Sequence, residues 1–160
     1  MSDDEVEFIT PPNKLQSKVT MSAGGVDPAT LARAEAVIAS LQGNYLQWVE
    51  DDLTNLQGAY ERAMSDPSNR RVHISEIFRI AHDVKGQGGS FGYQLMTVIA
   101  TYLCRMVEKI ENPGPEHMAV IKLHIDALRL VITQRMEGTG GAAGESLVKG
   151  LEAVIGKISR

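Results

Sequence analysis

Cysteine is almost missing from this chain of 160 residues: Cys104 stands alone, so an internal disulfide and a multi-cysteine zinc site are both excluded. Aromatic residues are few as well, at 5%, although 43% hydrophobic and 22% charged residues are ordinary globular proportions that allow a real core. A basic excess is lacking. The formal net charge is -4, which gives no general attraction for nucleic acid or an anionic membrane, and neither is expected as a partner. Long apolar runs are also absent, and Met1 to Glu7 is acidic where a signal peptide would be basic and then apolar, so a cytoplasmic protein is expected. The length is that of one domain, which leaves no space for a multi-domain enzyme. Glycine runs the other way, with 15 residues, several of them in segments that read as helix.

The stretch 1–26 holds Asp3, Asp4, Glu5 and Glu7, then Pro11 and Pro12, then Gly24 and Gly25, and shows no sustained periodicity. It reads as a mobile tail in which Phe8 and Ile9 are incidental. Residues 27–160 read as a helical bundle. Asp27 before Pro28 predicts a helix start, because the carboxylate accepts free N–H groups and proline at the first position lacks one anyway. From there Leu31, Ala34, Ile38, Leu41, Tyr45, Trp48, Val49, Leu53, Leu56, Tyr60 and Ala63 follow steps of three and four up to Ser65-Asp66-Pro67, with Gly43 a point at which the segment can divide in two. A second pattern runs from Ile74 to Phe91 and closes near Gly92. A third carries Leu95, Val98, Ile99, Tyr102, Leu103, Met106, Val107 and Ile110, and a fourth Met118, Ile121, Ile125, Leu128 and Ile132. Glycines from 138 to 144 read as a linker (137–145) to a shorter fifth stripe of Leu147, Leu151, Val154, Ile155 and Ile158. No window alternates like a strand. The predicted class is all-α: an antiparallel four-helix bundle with additional terminal helical segments.

One segment breaks the rules of helix composition. Ala81 to Gly92 places Gly86, Gly88 and Gly89 inside or at the end of the second helix, at about 1 kcal/mol each relative to alanine. At about 100° per residue, His82, Gly86 and Gly89 share a strip away from the apolar face, so the imidazole projects where side chains have been removed. Lys85 is three residues on, close enough to offset negative charge on whatever the ring carries. Gly88 falls on the buried side, where a missing side chain lets a neighbouring helix approach closely. A histidine nucleophile attacks through an unprotonated ring nitrogen, and the bare strip lets a second protein bring its active site down onto it. Asp83 points about 100° away and no oxyanion hole is visible, so catalytic apparatus has to come from a partner.

The run His82, Val84, Lys85, Gly86, Gly88, Gly89, Phe91, Gly92 resembles the signature of the histidine-containing phosphotransfer (HPt) family. The resemblance implies a four-helix bundle whose motif histidine accepts a phosphoryl group from a receiver-domain aspartate, or from a sensor or hybrid histidine kinase, and passes it to a response-regulator aspartate. It implies no cofactor in this chain, with Mg2+ held by the receiver partner, and no kinase activity of its own. Gln87 departs from the pattern, which usually has a small residue there, and the segment from 138 onward extends the minimal bundle. Ile77-Phe78-Arg79 gives the segment a second likeness, to the phosphoacceptor domain of chemotaxis kinases, though this chain has no room for their ATP-binding domain.

The candidate set is therefore His82 as phosphoacceptor, Lys85 as phosphate support, and Gly86, Gly89, Arg79, Phe78 and Ser75 for partner access and docking. Arg79 has a competing reading as a solvated surface residue, Phe78 as core packing, and Ser75 as plain surface. His117 and His124, seven apart, are candidate metal ligands only in spacing, with no carboxylate or cysteine cluster to support them, and no metal is expected. His73 reads as surface and Cys104 as a small buried hydrophobe. The alternative function is a non-phosphorylated helical adaptor that sequesters a receiver domain or kinase. A monomer is expected.

Overall fold

The structure is a computed structural model that describes residues 27–158. The stretch read as a tail, with Phe8 and Ile9, lies outside the described residues. The chain divides into two compact units, Met1–Ala39 and Ser40–Arg160.

In the first unit, α1 (Pro28–Ser65) opens as the sequence predicts. The Asp27 carboxylate accepts from the Ala29 N–H at 3.3 Å and the Thr30 hydroxyl at 3.2 Å. Here the apolar spacing predicts the helix but not its burial, since Leu31 and Ile38 of that stripe are both more than half exposed.

In the second unit α1 continues without a break at Gly43, which corrects the expectation of a division there. A helix of this length tolerates Gly43, and Gly58 beyond it, at a local cost of about 1 kcal/mol each, which the packing further along offsets. That packing begins at Tyr45 and continues through Val49, Leu53, Leu56, Ala59 and Ala63, all buried. After a turn, α2 (Arg70–Gly88) follows, then a single 3-10 turn (Gly89–Phe91), α3 (Gln94–Lys109), α4 (Pro115–Thr133) and α5 (Gly141–Ile158). Every regular element among the described residues is helical. Among them, no helix is long and apolar enough to cross a membrane.

Short connections make consecutive helices antiparallel neighbours. Packing joins α2 to α3, α3 to α4 and α5, and α4 to α5. α1 is tied to α2 by the Arg62–Glu76 ion pair at 2.8 Å and by the Arg70 side chain, which donates to the Ala63 carbonyl at 2.9 Å. Of the third stripe, Leu95, Ile99, Leu103, Met106 and Val107 enter the core, whereas Val98 and Tyr102 lie at its edge. The Tyr102 hydroxyl there donates to Glu152 of α5 at 2.5 Å. Cys104 is buried, as expected of a small hydrophobe, and burial raises its thiol pKa.

The glycine-rich stretch is not a loose linker. α5 starts at Gly141, well before Leu147, and the residues ahead of it are clasped to the start of α3: the Gly138 N–H donates to the Gly92 carbonyl at 2.7 Å, and the Leu95 N–H to the Gly138 carbonyl at 2.9 Å. Gly140 has φ +72, and a Cβ there would lie 2.7 Å from the Leu95 side chain, so both backbone and space require glycine.

The two histidines of the fourth pattern go to separate structural tasks. The His117 ring accepts from the Gly114 N–H at 3.1 Å, satisfying a free amide at the start of α4. His124 is fully buried, with Nδ1 2.8 Å from the Val120 carbonyl. A carbonyl can only accept, so Nδ1 carries the proton and Nε2 is an acceptor with no partner among the described residues. Burial lowers the His124 pKa below the usual 6.5. The unfolded chain therefore binds a proton there before the folded chain does, and the stability present above pH 6.5 falls as pH drops below it. Urea midpoints measured between about pH 7.5 and 5.5 should decline in the wild type and decline less in His124→Leu. Equal slopes would show that His124 is not the titrating group.

Candidate functional site

α2 presents its buried residues Ile74, Ile77, Ile80, Ala81, Val84 and Gly88 to the core, which leaves His82 exposed on the opposite side. The ring has no hydrogen-bonding group oriented onto it among the described residues, and its nearest aromatic neighbour is Phe78, with ring centroids 6.0 Å apart. Phe78 meets both of its readings, because it is half-buried against the core and still flanks the histidine.

His82 opens onto a cleft of about 700 Å³ between α2 and α3. From α2 the cleft takes Phe78, Arg79, His82, Asp83 and Lys85, and from α3 Thr97, Thr101, Cys104, Arg105 and Glu108. Arg79 is partly engaged by the Asp83 carboxylate at 3.6 Å, one turn on, so it is neither a free cation nor a purely solvated one. Two cations, Lys85 and Arg105, line the same space. Such a cleft suits an anionic group held close to the imidazole.

Thr97 explains how the glycine-weakened end of α2 holds its shape. Its hydroxyl accepts from the Gly89 N–H at 3.0 Å and donates to the Lys85 carbonyl at 3.0 Å, so one side chain of α3 satisfies a donor and an acceptor of the last turn. The close approach expected of Gly88 is present: a Cβ there would lie 2.9 Å from both the Thr97 hydroxyl and the Tyr93 carbonyl. Gly86 is exposed with open space where its Cβ would be, and Gly89 has only the Thr97 hydroxyl at 3.7 Å. Gly92 takes φ +82 and ends the turn in the left-handed region, which favours glycine.

Six of the seven candidate residues, from Phe78 to Gly89, thus lie on or beside one face. Ser75 lies about two turns before His82 in an adjoining recess: its hydroxyl donates to the Arg71 carbonyl at 3.0 Å, and the recess shares Phe78 and Glu108 with the His82 cleft. The contribution of α3 was missed in the sequence reading. Thr97, Thr101 and Arg105 are spaced i, i+4, i+8, which marks one helix face, a signal weaker than the apolar stripe of the same helix.

The Hpt domain family model matches residues 40–130, more than half of the chain. The chain belongs to the Hpt family. The domain implies histidine phosphotransfer in two-component phosphorelays, as a carrier that works with receiver domains and kinases. Comparison with curated proteins and with solved structures finds no match. The helical bundle agrees with the family, and the matched residues run from α1 through α4 and include the whole α2–α3 cleft.

Proposed function

We propose that His82 is the phosphoryl carrier of this Hpt domain, accepting the group from a receiver-domain aspartate or a histidine kinase and passing it to a response-regulator aspartate. The observation that carries the reading is an exposed imidazole at a cleft with Lys85 and Arg105 on its walls and no base oriented onto the ring among the described residues. In the accepting step an unprotonated ring nitrogen attacks the phosphorus, the N–P bond forms, and the bond to the aspartate oxygen breaks to return a carboxylate. The other ring nitrogen keeps its proton. Lys85 supports the transferred group by charge, and positioning within the docked pair supplies most of the acceleration. Mg2+ belongs to the partner's site.

Incubation with a phosphorylated receiver domain should give an acid-labile label on this chain, and incubation with ATP alone should give none. A receiver that binds tightly yet transfers no label would support the adaptor reading instead.

Gly86 provides a separate check on partner access. Its added methyl meets nothing, so Gly86→Ala should raise stability by up to about 1 kcal/mol through helix propensity. The same methyl stands on the docking face and should slow transfer from the receiver. Faster or unchanged transfer, timed over the first seconds of reaction, would show that the strip need not be bare.

A further inference from the structure

On the side of His82 facing α1, a second recess is lined by Trp48, Asp51, Asp52, Gln87 and Phe91. It has two independent features. The first is aromatic: Trp48 is 43% exposed and meets the Phe91 ring edge-on, with centroids 6.3 Å apart, while Phe91 stacks on buried Tyr45 at 4.7 Å. A large side chain is thereby held rigidly at the surface, the arrangement that anchors interfaces. The second is charge. Asp51 and Asp52 have no ion-pair partner among the described residues, and the Asp52 pKa is raised from its ordinary value by burial and by repulsion from Asp83 and Asp51, against a smaller opposing pull from Arg79. Asp83 lines the His82 cleft, so the carboxylate that repels Asp52 belongs to the cleft itself.

A receiver domain that brings an aspartate to His82 meets these carboxylates on its way in. Repulsion opposes that approach unless the receiver places a cation over the recess. A lysine or arginine fits the chemistry, with its alkyl stem on the Trp48 and Phe91 rings and its charged head at Asp51 and Asp52. Across His82 the cleft carries Arg79, Lys85 and Arg105 against Asp83 and Glu108, so cations are in excess there and carboxylates in the recess, and the face favours a partner in one orientation.

We infer that the Trp48–Phe91 recess is a docking subsite for a basic side chain of the receiver, and that it selects receivers by charge at that position. This rests on the reading of His82 as a carrier that meets receiver domains, and one experiment separates the two. Trp48 is the single tryptophan of the chain, so its emission reports on the recess directly. Titrate the full chain with a tryptophan-free, phosphorylated receiver domain, and follow both Trp48 emission and label transfer. The expected result is a saturating emission change at the concentrations that saturate transfer. Asp51→Lys with Asp52→Lys should lower kcat/KM for transfer by about tenfold and flatten its salt dependence. The milder pair Asp51→Asn and Asp52→Asn should act in the same direction with less risk to the helix. Transfer without any emission change, or transfer that is indifferent to both pairs, overturns the subsite and leaves the carrier reading intact. Emission change without label does the reverse.

Discussion

Replacing His82 with glutamine should remove all acid-labile label from the chain while leaving the fold as it is. Glutamine keeps a polar side chain of similar reach on an exposed helix position, where substitutions usually change stability by less than about 0.5 kcal/mol. No other histidine stands as open on a helix face. Of the four histidines, His124 is fully buried with Nδ1 on Val120, and His117 spends Nδ1 on the Gly114 amide. His73 is half-buried, with Nε2 3.9 Å from the Asp66 carboxylate. Each of these rings has its own structural partner, and His82 alone stands free on an open face. The measurement is the quantity of label after incubation with a phosphorylated receiver, compared with thermal midpoints of both proteins. Persistent label on a folded His82→Gln chain would sink the assignment, and loss of label with loss of fold would be uninformative without the matching midpoints.

Most of this site could be read before any coordinates because its signal is local. Histidine, lysine and the glycines lie on one helix, and a helical wheel is enough to place them on one face. What α3 contributes is not local. Thr97 matters because its hydroxyl reaches the end of another helix, and nothing in the spacing of threonine within α3 says which backbone it will meet. The same limit explains two misjudged glycine positions. Gly43 sits in a helix that packing elsewhere sustains, while Gly140 before α5 and Gly144 in its first turn both lie against Leu95 through contacts made only in the folded chain. Glycine marks a turn, a bare surface or a close approach with one letter, and tertiary neighbours decide among them. The apolar stripe of α1 fails in a related way: its spacing predicts a helix from Pro28, yet Leu31, Ile38 and Leu41 remain exposed while Tyr45, Val49, Leu53 and Leu56 enter the core. Periodicity fixes which residues share a face and says nothing of whether that face finds a partner.

The glycines of α2 provide the sharpest quantitative test, because the same substitution two residues apart should have opposite signs. Gly88→Ala places a methyl 2.9 Å from the Tyr93 carbonyl, 2.9 Å from the Thr97 hydroxyl and 3.0 Å from the Met96 Cβ. The Tyr93 carbonyl also accepts from the Met96 N–H at the entry to α3, so it cannot swing aside freely. The helices must separate, and overpacking of this kind costs about 1–3 kcal/mol, more than the roughly 1 kcal/mol that alanine returns in helix propensity. A net loss of about 1–2 kcal/mol is expected against a typical total of 5–15, while Gly86→Ala should gain. Separation would also strain the two Thr97 hydrogen bonds that fix Lys85 and Gly89, so phosphoryl transfer through His82 should slow in Gly88→Ala even at temperatures where the protein stays folded. Thr97→Val tests that link alone, since it keeps the shape and removes the hydroxyl. Urea midpoints and initial transfer rates for the three variants settle the matter: a Gly88→Ala protein as stable as wild type means that the two helices are not in close contact there, and the account of why this helix tolerates its glycines fails with it.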